Sequence, residues 1–197
     1  MKPYTIKEPI TIPYFDHDHK SLKNTIENSS SRRNMSKWQF IKRKVRNILL
    51  NKWAYTCPLN GWRVKMHKKR GVTIGDNVYI GQYCTIDNAY PEYIYIEDNV
   101  SLAGHVTVLA HRNPYPHFKN IVESAVEPVV IKEGAWIADG VIILKGVTIG
   151  KNAIVSAGTV VDKNVPDCCL AQGNPMKIVT DFTLATEEKT VKFTGIA

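Results

Sequence analysis

The chain has 197 residues, 44% of them hydrophobic and 22% charged, with a formal net charge of +8. That is the composition of a globular protein of one domain plus an extension, and no apolar run approaches the length of a membrane span. Cys57, Cys84, Cys168 and Cys169 show neither paired metal-site spacing nor the density of a secreted disulfide scaffold. The N-terminus, MKPYTIKEPITIPYF, lacks the continuous apolar core of a signal peptide, so a cytoplasmic location is the expectation.

Charge is shared unevenly. Residues 1–71 hold 17 Lys/Arg against 4 Asp/Glu, whereas residues 72–197 hold 9 against 14. The basic character belongs to the N-terminal part. It suits a solvated face, nucleic acid or an anionic membrane surface, of which the solvated face is the commonest case.

Residues 1–35 have no sustained periodicity, and NSSSRRN has linker composition. The run FDHDH at residues 15–19 places His17 and His19 on alternating positions, but no further ligand cluster accompanies them, and a surface segment is the simpler reading. From Ser36, a plausible N-cap, Trp38, Ile41, Val45, Ile48 and Lys52 recur at spacings of three and four, with Leu49 and Trp53 widening the stripe. The spacing predicts an amphipathic helix over 36–53 whose other face carries Lys37, Lys42, Arg43, Lys44 and Arg46. Packing against its own repeat domain or a neighbouring subunit is the favoured reading; contact with anionic lipid is the alternative. The basic stretch RVKMHKKR (63–70) then leads into the repeats as a cap over their open end.

The repeats begin at Val72. VTIGDN VYIGQY CTIDNA (72–89), IYIEDN VSLAGH VTVLAH (94–111) and VVIKEG AWIADG VIILKG VTIGKN AIVSAG TVVDKN (129–164) share one frame of six. Each block has a small or apolar residue first, an aliphatic third and commonly Gly or Asn last. A period of six is neither helical nor simply alternating; it is the signature of a hexapeptide β-helix, with one short strand and one corner per block and three blocks per coil. Twelve blocks make about four coils. The frame slips by four residues at Tyr90–Tyr93 and by seventeen at 112–128, both between complete coils, where a solenoid tolerates insertions. The expected fold is therefore mainly β, with an N-terminal extension at 1–71, a repeat domain at 72–165 carrying an extruded loop at 112–128, and a tail at 166–197. Pro166 ends the repeat, and the Gly173-Asn-Pro175 turn is expected to send the chain off the stack.

Candidate chemistry collects at the corners. The last block position departs from Gly or Asn at Tyr83, Ala89, His105 and His111. His tolerates positive φ, so either histidine could simply turn a corner. His111 opens directly onto the long loop, however, and Asp87 lies one rung below it, about 5 Å away in strand spacing. A carboxylate there could orient the imidazole or hold a sugar hydroxyl. His is the side chain suited to moving protons near neutrality, which favours His111 as a base, with His117 in the loop and His105 as alternatives.

On VTVLAH (106–111), AWIADGVIILKGVTIG (135–150) and the ending AQGNPMKIV (171–179), the chain resembles the hexapeptide-repeat acetyltransferases over about residues 70–180. Within them it is most similar to the maltose/galactoside O-acetyltransferases and the related enzymes of surface-polysaccharide biosynthesis. The resemblance implies a left-handed parallel β-helix, an exception to right-handed crossovers. It also implies a homotrimer with active sites between subunits, acetyl-CoA along the cleft, and His111 as general base for direct transfer to a sugar or glycan hydroxyl. It places Asp139, Ala157, Lys163 and Lys177 at coenzyme-binding positions and Tyr83 on the acceptor side, where the rung geometry also puts Asp87; no metal is expected. Sugar acetyltransferases of the maltose/galactoside type have an asparagine near the position of Tyr83. Its absence points to a larger acceptor, such as a sugar nucleotide or a lipid-linked glycan. The rival readings are a zinc hydratase using His105, His111 and His117, and a non-catalytic scaffold binding an anionic polymer through the basic extension; nucleic acid is not the expected partner.

Overall fold

A computed structural model describes residues 3–14 and 35–182. His17, His19, the NSSSRRN linker and the end of the tail lie outside the described residues.

The hexads become short parallel strands stacked on three faces. On one face Thr73–Ile74, Ile94–Ile96, Val129–Ile131 and Thr148–Ile149 lie in register; on another, Thr85–Ile86, Thr107–Val108, Ile142–Ile143 and Val160–Val161 do so. The third face carries Tyr79–Ile80, Ser101–Leu102, Trp136–Ile137 and Ile154–Val155, and continues into Cys169–Gln172. Ile74 aligns with Ile96, and Ile96 with Ile131, so both frame slips are absorbed outside the stack. The aliphatic third positions form the core, and Ile80, Ile86, Ile96, Leu102, Ile137 and Val155 are wholly buried. Burying a Leu, Ile or Val side chain contributes about 1.5–3 kcal/mol, so these columns carry most of the stabilisation. Positive φ falls at the last block position at Asn77, Tyr83, Asn99, His105 and Asn152 as well as at glycines.

Residues 3–14 are more ordered than their composition suggests. Ile10–Thr11 pairs antiparallel with Ala125–Val126, which pairs in turn with His111–Arg112, so residues 3–14 strap the base of the extruded loop. Tyr14 donates its hydroxyl to the carbonyls of Lys119 and Val122 at 3.2 Å, and Tyr4 donates to Glu97 at 2.5 Å.

Helix α1 spans Lys37–Thr56, and its N-terminus is closed by a capping box between Ser36 and Gln39. Its orientation corrects the expectation that the apolar stripe packs against the repeat domain of its own chain. The face turned to the rest of the protein carries Phe40, Asn47 and Ala54, with Arg43 paired to Glu92 at 2.5 Å, while Trp38, Val45, Ile48, Leu49 and Trp53 face outward.

Helix α2, Asn60–Arg70, ends on the left-handed Gly71. It lies over the open end of the stack and supplies donors to carbonyls that no further strand covers. Asn60 pairs with both the carbonyl of Val78 and the N–H of Ile80, Arg63 donates to the Ile80 carbonyl, and Lys68 to that of Gly75. The cationic stretch is thus the chemistry of a strand-edge cap, which removes a template for edge-to-edge pairing.

At the other end the chain does not leave the stack after Gly173. It reverses, and Lys177–Asp181 returns antiparallel on Cys169–Gln172.

Candidate active site

The extruded loop starts at His111, and three neighbours hold that residue. Its backbone pairs with Val126 across the loop base. The ring of Tyr90, from the four-residue insertion, packs 5.6 Å from the imidazole. Nδ1 lies 2.5 Å from Oδ2 of Asp87, whose side chain is fully buried while that of His111 is 30% exposed. Asp87 is otherwise engaged by backbone: Oδ1 accepts from the N–H groups of Ala89 and Tyr90, and Oδ2 from that of Ala110. Burial pushes its carboxyl up, but the hydrogen bond and charge of His111 and the backbone donors outweigh this, leaving it below its ordinary value. An ionised carboxylate only accepts, so Nδ1 of His111 carries the hydrogen and Nε2 is the proton acceptor. Of the two roles open to Asp87, the structure favours orienting the imidazole, because both its oxygens are occupied away from solvent.

Arg70 stands behind this pair, where nothing in the repeat pattern pointed to it. Its buried guanidinium donates from Nη2 to the carbonyls of Ile86 and Asp87 and to Asn88 Oδ1, and from Nη1 to Asn51 Oδ1. Nη1 also contacts Nδ1 of His67 at 2.9 Å. Burial first, then the charges of Arg70 and Arg63, lower His67 to about 3, so its ring is the neutral acceptor of that contact.

The second histidine does something different. His105 has φ 56° and turns a corner, whereas His111 lies in a strand and is not among the positive-φ residues. His105 stacks on Tyr83 at 5.1 Å, Tyr55 meets Tyr83 edge-on at 5.4 Å, and Nδ1 of His105 lies 3.3 Å from Asp139. The N–H of Gly158 donates to the carbonyl of Asp139, so Ala157 sits on the next rung of this edge. Pro58, Arg63, Tyr79 and Gln82 line a shallow groove beside it.

The sequence-predicted residues therefore divide between two edges of the prism. Asp87 and His111 lie on one, with Lys163 exposed in the turn after Val161; Tyr83, His105, Asp139 and Ala157 lie on another. Lys177 is exposed at the start of the returning strand beside Gln172. Within one chain, the structure does not bring Tyr83 to the edge of His111. His117 stacks on Tyr115 and meets Phe118 at a tilt in the loop, and the three histidines of the zinc alternative do not form a metal-holding group. Among the described residues no group of three or more His, Cys, Asp or Glu side chains is placed to hold a metal ion. Burial pushes the Cys84 thiol up to about 11, which leaves it a poor nucleophile.

A family model, the bacterial transferase hexapeptide of six repeats, matches residues 128–163. Together with the strand register and the solved structures below, it shows the fold of a left-handed β-helix built of hexapeptide repeats. A comparison with curated protein sequences finds no match. Among solved structures, a maltose O-acetyltransferase from Clostridium difficile 630 is 25% identical with a TM-score of 0.57, covering 72% of this chain and 87% of that one. A hexapeptide-repeat acetyltransferase from Vibrio cholerae O1 biovar eltor, complexed with acetyl coenzyme A, is 22% identical with a TM-score of 0.58, over 72% of this chain and 87% of the other. A galactoside acetyltransferase in complex with coenzyme A is 20% identical with a TM-score of 0.57, over 77% and 86%. At those last two identities the likeness establishes the fold.

Proposed function

We propose that the protein is an acyltransferase that moves acetyl from acetyl-CoA to a hydroxyl of a sugar or glycan acceptor, with His111 as general base. One observation carries this reading: a part-exposed imidazole at the mouth of the extruded loop, fixed through Nδ1 by a fully buried carboxylate. That arrangement serves proton transfer at Nε2, because the tautomer is set and the imidazolium formed during reaction is stabilised where it stands.

Nε2 accepts the proton of the acceptor hydroxyl as its oxygen attacks the thioester carbonyl carbon. The tetrahedral oxyanion collapses with cleavage of the C–S bond, and the imidazolium returns its proton to the leaving thiolate. Atoms and charge balance without a covalent enzyme intermediate. A positioned base of this kind contributes roughly 10²–10⁴-fold.

The site is shared between subunits of a homotrimer in this reading. The edge of His111, Asp87 and Lys163 from one chain faces the edge of Tyr83, Asp139 and Ala157 from the next. Ala157 gives the pantetheine arm a close approach to the backbone, Asp139 accepts from its amide, and Lys163 and Lys177 meet phosphates as cations. Tyr83 offers an aromatic face to the acceptor, which suits a larger glycan or sugar nucleotide handled in the cytoplasm for polysaccharide biosynthesis. The similarity to a maltose O-acetyltransferase supports acetyl transfer and the acceptor class.

The test is thiol release from acetyl-CoA across sugars, sugar nucleotides and glycan fragments, with coenzyme binding measured in parallel. Acceptor-dependent release is expected; a protein that does not bind acetyl-CoA at all would overturn the reading.

A further inference from the structure

Helix α1 has two working faces, and among the described residues only the inner one is used within the chain. Its 20 residues span about 30 Å at 1.5 Å per residue. Phe40, Asn47 and Ala54 lie on the side turned to the rest of the protein. Opposite them, Trp38 is 80% exposed and Trp53 66%, with Val45, Ile48 and Leu49 each at least half exposed between them. The helical period gathers these five and Ile41 into one stripe. It has an indole near each end, about 22 Å apart by the same rise.

The charges around that stripe identify its occupant. The helix sequence KWQFIKRKVRNILLNKWAYT contains six Lys/Arg and no Asp or Glu. Arg43 is spent on Glu92 of the repeat domain. On the helical period, exposed Lys42 and Arg46 follow one border of the stripe, exposed Lys37 and Lys44 follow the other, and Lys52 interrupts it. Long cationic side chains bordering an apolar, Trp-bearing face on both sides can bury their stems and send their heads outward to anionic headgroups. Indoles favour the same interfacial depth, where one part of the ring is apolar and the N–H is wet. The same helix of a second copy would oppose these cations with more cations, whereas an anionic bilayer complements all of them. Among the described residues no helix is long and apolar enough to cross a membrane, so contact would be in the plane of the surface.

We infer that the outer face of α1 docks the protein on an anionic lipid surface, lying in the headgroup plane with Trp38 and Trp53 inserted. This does not rest on the acetyl-transfer reading.

The test is co-sedimentation of the full-length protein with phosphatidylcholine vesicles, either plain or containing about one-third phosphatidylglycerol, at about 0.1 M and 0.5 M salt. Two double variants accompany it, Trp38→Ser with Trp53→Ser and Lys42→Gln with Arg46→Gln, with the solution mass of each measured by light scattering. The expected result is binding to the anionic vesicles only, weakened by salt, and reduced at least tenfold in both variants with the solution mass unchanged. Absence of vesicle binding, equal binding to plain phosphatidylcholine, or undiminished binding by the Trp variant would each overturn the inference. A lower solution mass in the Trp variant would also overturn it, by assigning the stripe to an interface between copies.

Discussion

Arg70 grips Asp87 from behind: its Nη2 donates to the Asp87 carbonyl at 2.7 Å while the carboxylate of the same residue holds His111 at 2.5 Å. The end of α2, the turn at residues 86–88 and His111 at the loop mouth are thus one connected unit. Arg70→Met removes donors from three buried or part-buried acceptors of that turn. Leaving a buried acceptor unpaired costs about 1–3 kcal/mol, so urea unfolding should show a stability loss of at least that size. Because the turn also places Asp87, turnover by the folded fraction should fall with it, with acetyl-CoA affinity unchanged.

Asp87→Asn separates charge from shape. The amide fits the same space, but it can donate as well as accept, so the tautomer of His111 is no longer fixed. A loss of roughly 10²–10⁴-fold in kcat with little change in KM for acetyl-CoA is the expected outcome, measured by steady-state thiol release. A rise in KM with kcat preserved would mean that Asp87 binds a substrate instead of orienting the base.

His67 makes folding pH-dependent. Its folded value of about 3 is depressed from the ordinary 6.5. The unfolded chain therefore takes up the proton first, and the stability this group contributes is complete above pH 6.5. It is lost at about 1.4 kcal/mol per pH unit as pH falls from there toward the folded value. Asp87 acts in the same direction but lower down: its depressed carboxyl contributes stability above the ordinary carboxylate value that is lost as pH falls through the folded one. His67→Gln, which keeps an acceptor for Arg70, should flatten the decline between pH 6.5 and 5 in denaturant titrations, while the fall below pH 4 remains.

The hexad frame was legible because its steric demands repeat. The third position must fill the column between stacked coils, and Ile74, Ile80 and Ile86 in the first coil are as apolar as their successors. The same register placed Asp87 under His111. Three things were not legible, each for a physical reason. Arg70 reads in sequence as one cation in a basic run, and only the open strand edge reveals what it satisfies. Helix α1 shows the limit of periodicity: the pattern locates an apolar stripe but not which way it faces, and the inner face is the mixed set Phe40, Asn47 and Ala54. The strand Ile10–Thr11 pairs with residues more than a hundred positions away, and two residues carry no pattern.

The proposed sharing of the site between subunits makes a prediction of its own. Tyr83, Asp139 and Ala157 sit on a different edge from His111, and in the proposed trimer each site takes one edge from each of two chains. His111→Ala and Ala157→Trp proteins, each inactive alone, should regain activity when unfolded and refolded together. About a quarter of the sites are then intact for random mixing around a closed ring. No recovery would confine the site to a single chain.

The most direct test of the central claim is the turnover of His111→Ala beside the wild type, with acetyl-CoA affinity measured by calorimetry on both. The account predicts unchanged coenzyme affinity and a kcat lowered by roughly 10²–10⁴-fold. Turnover within a few-fold of wild type, with acetyl-CoA bound equally well, would contradict it and remove His111 as the base.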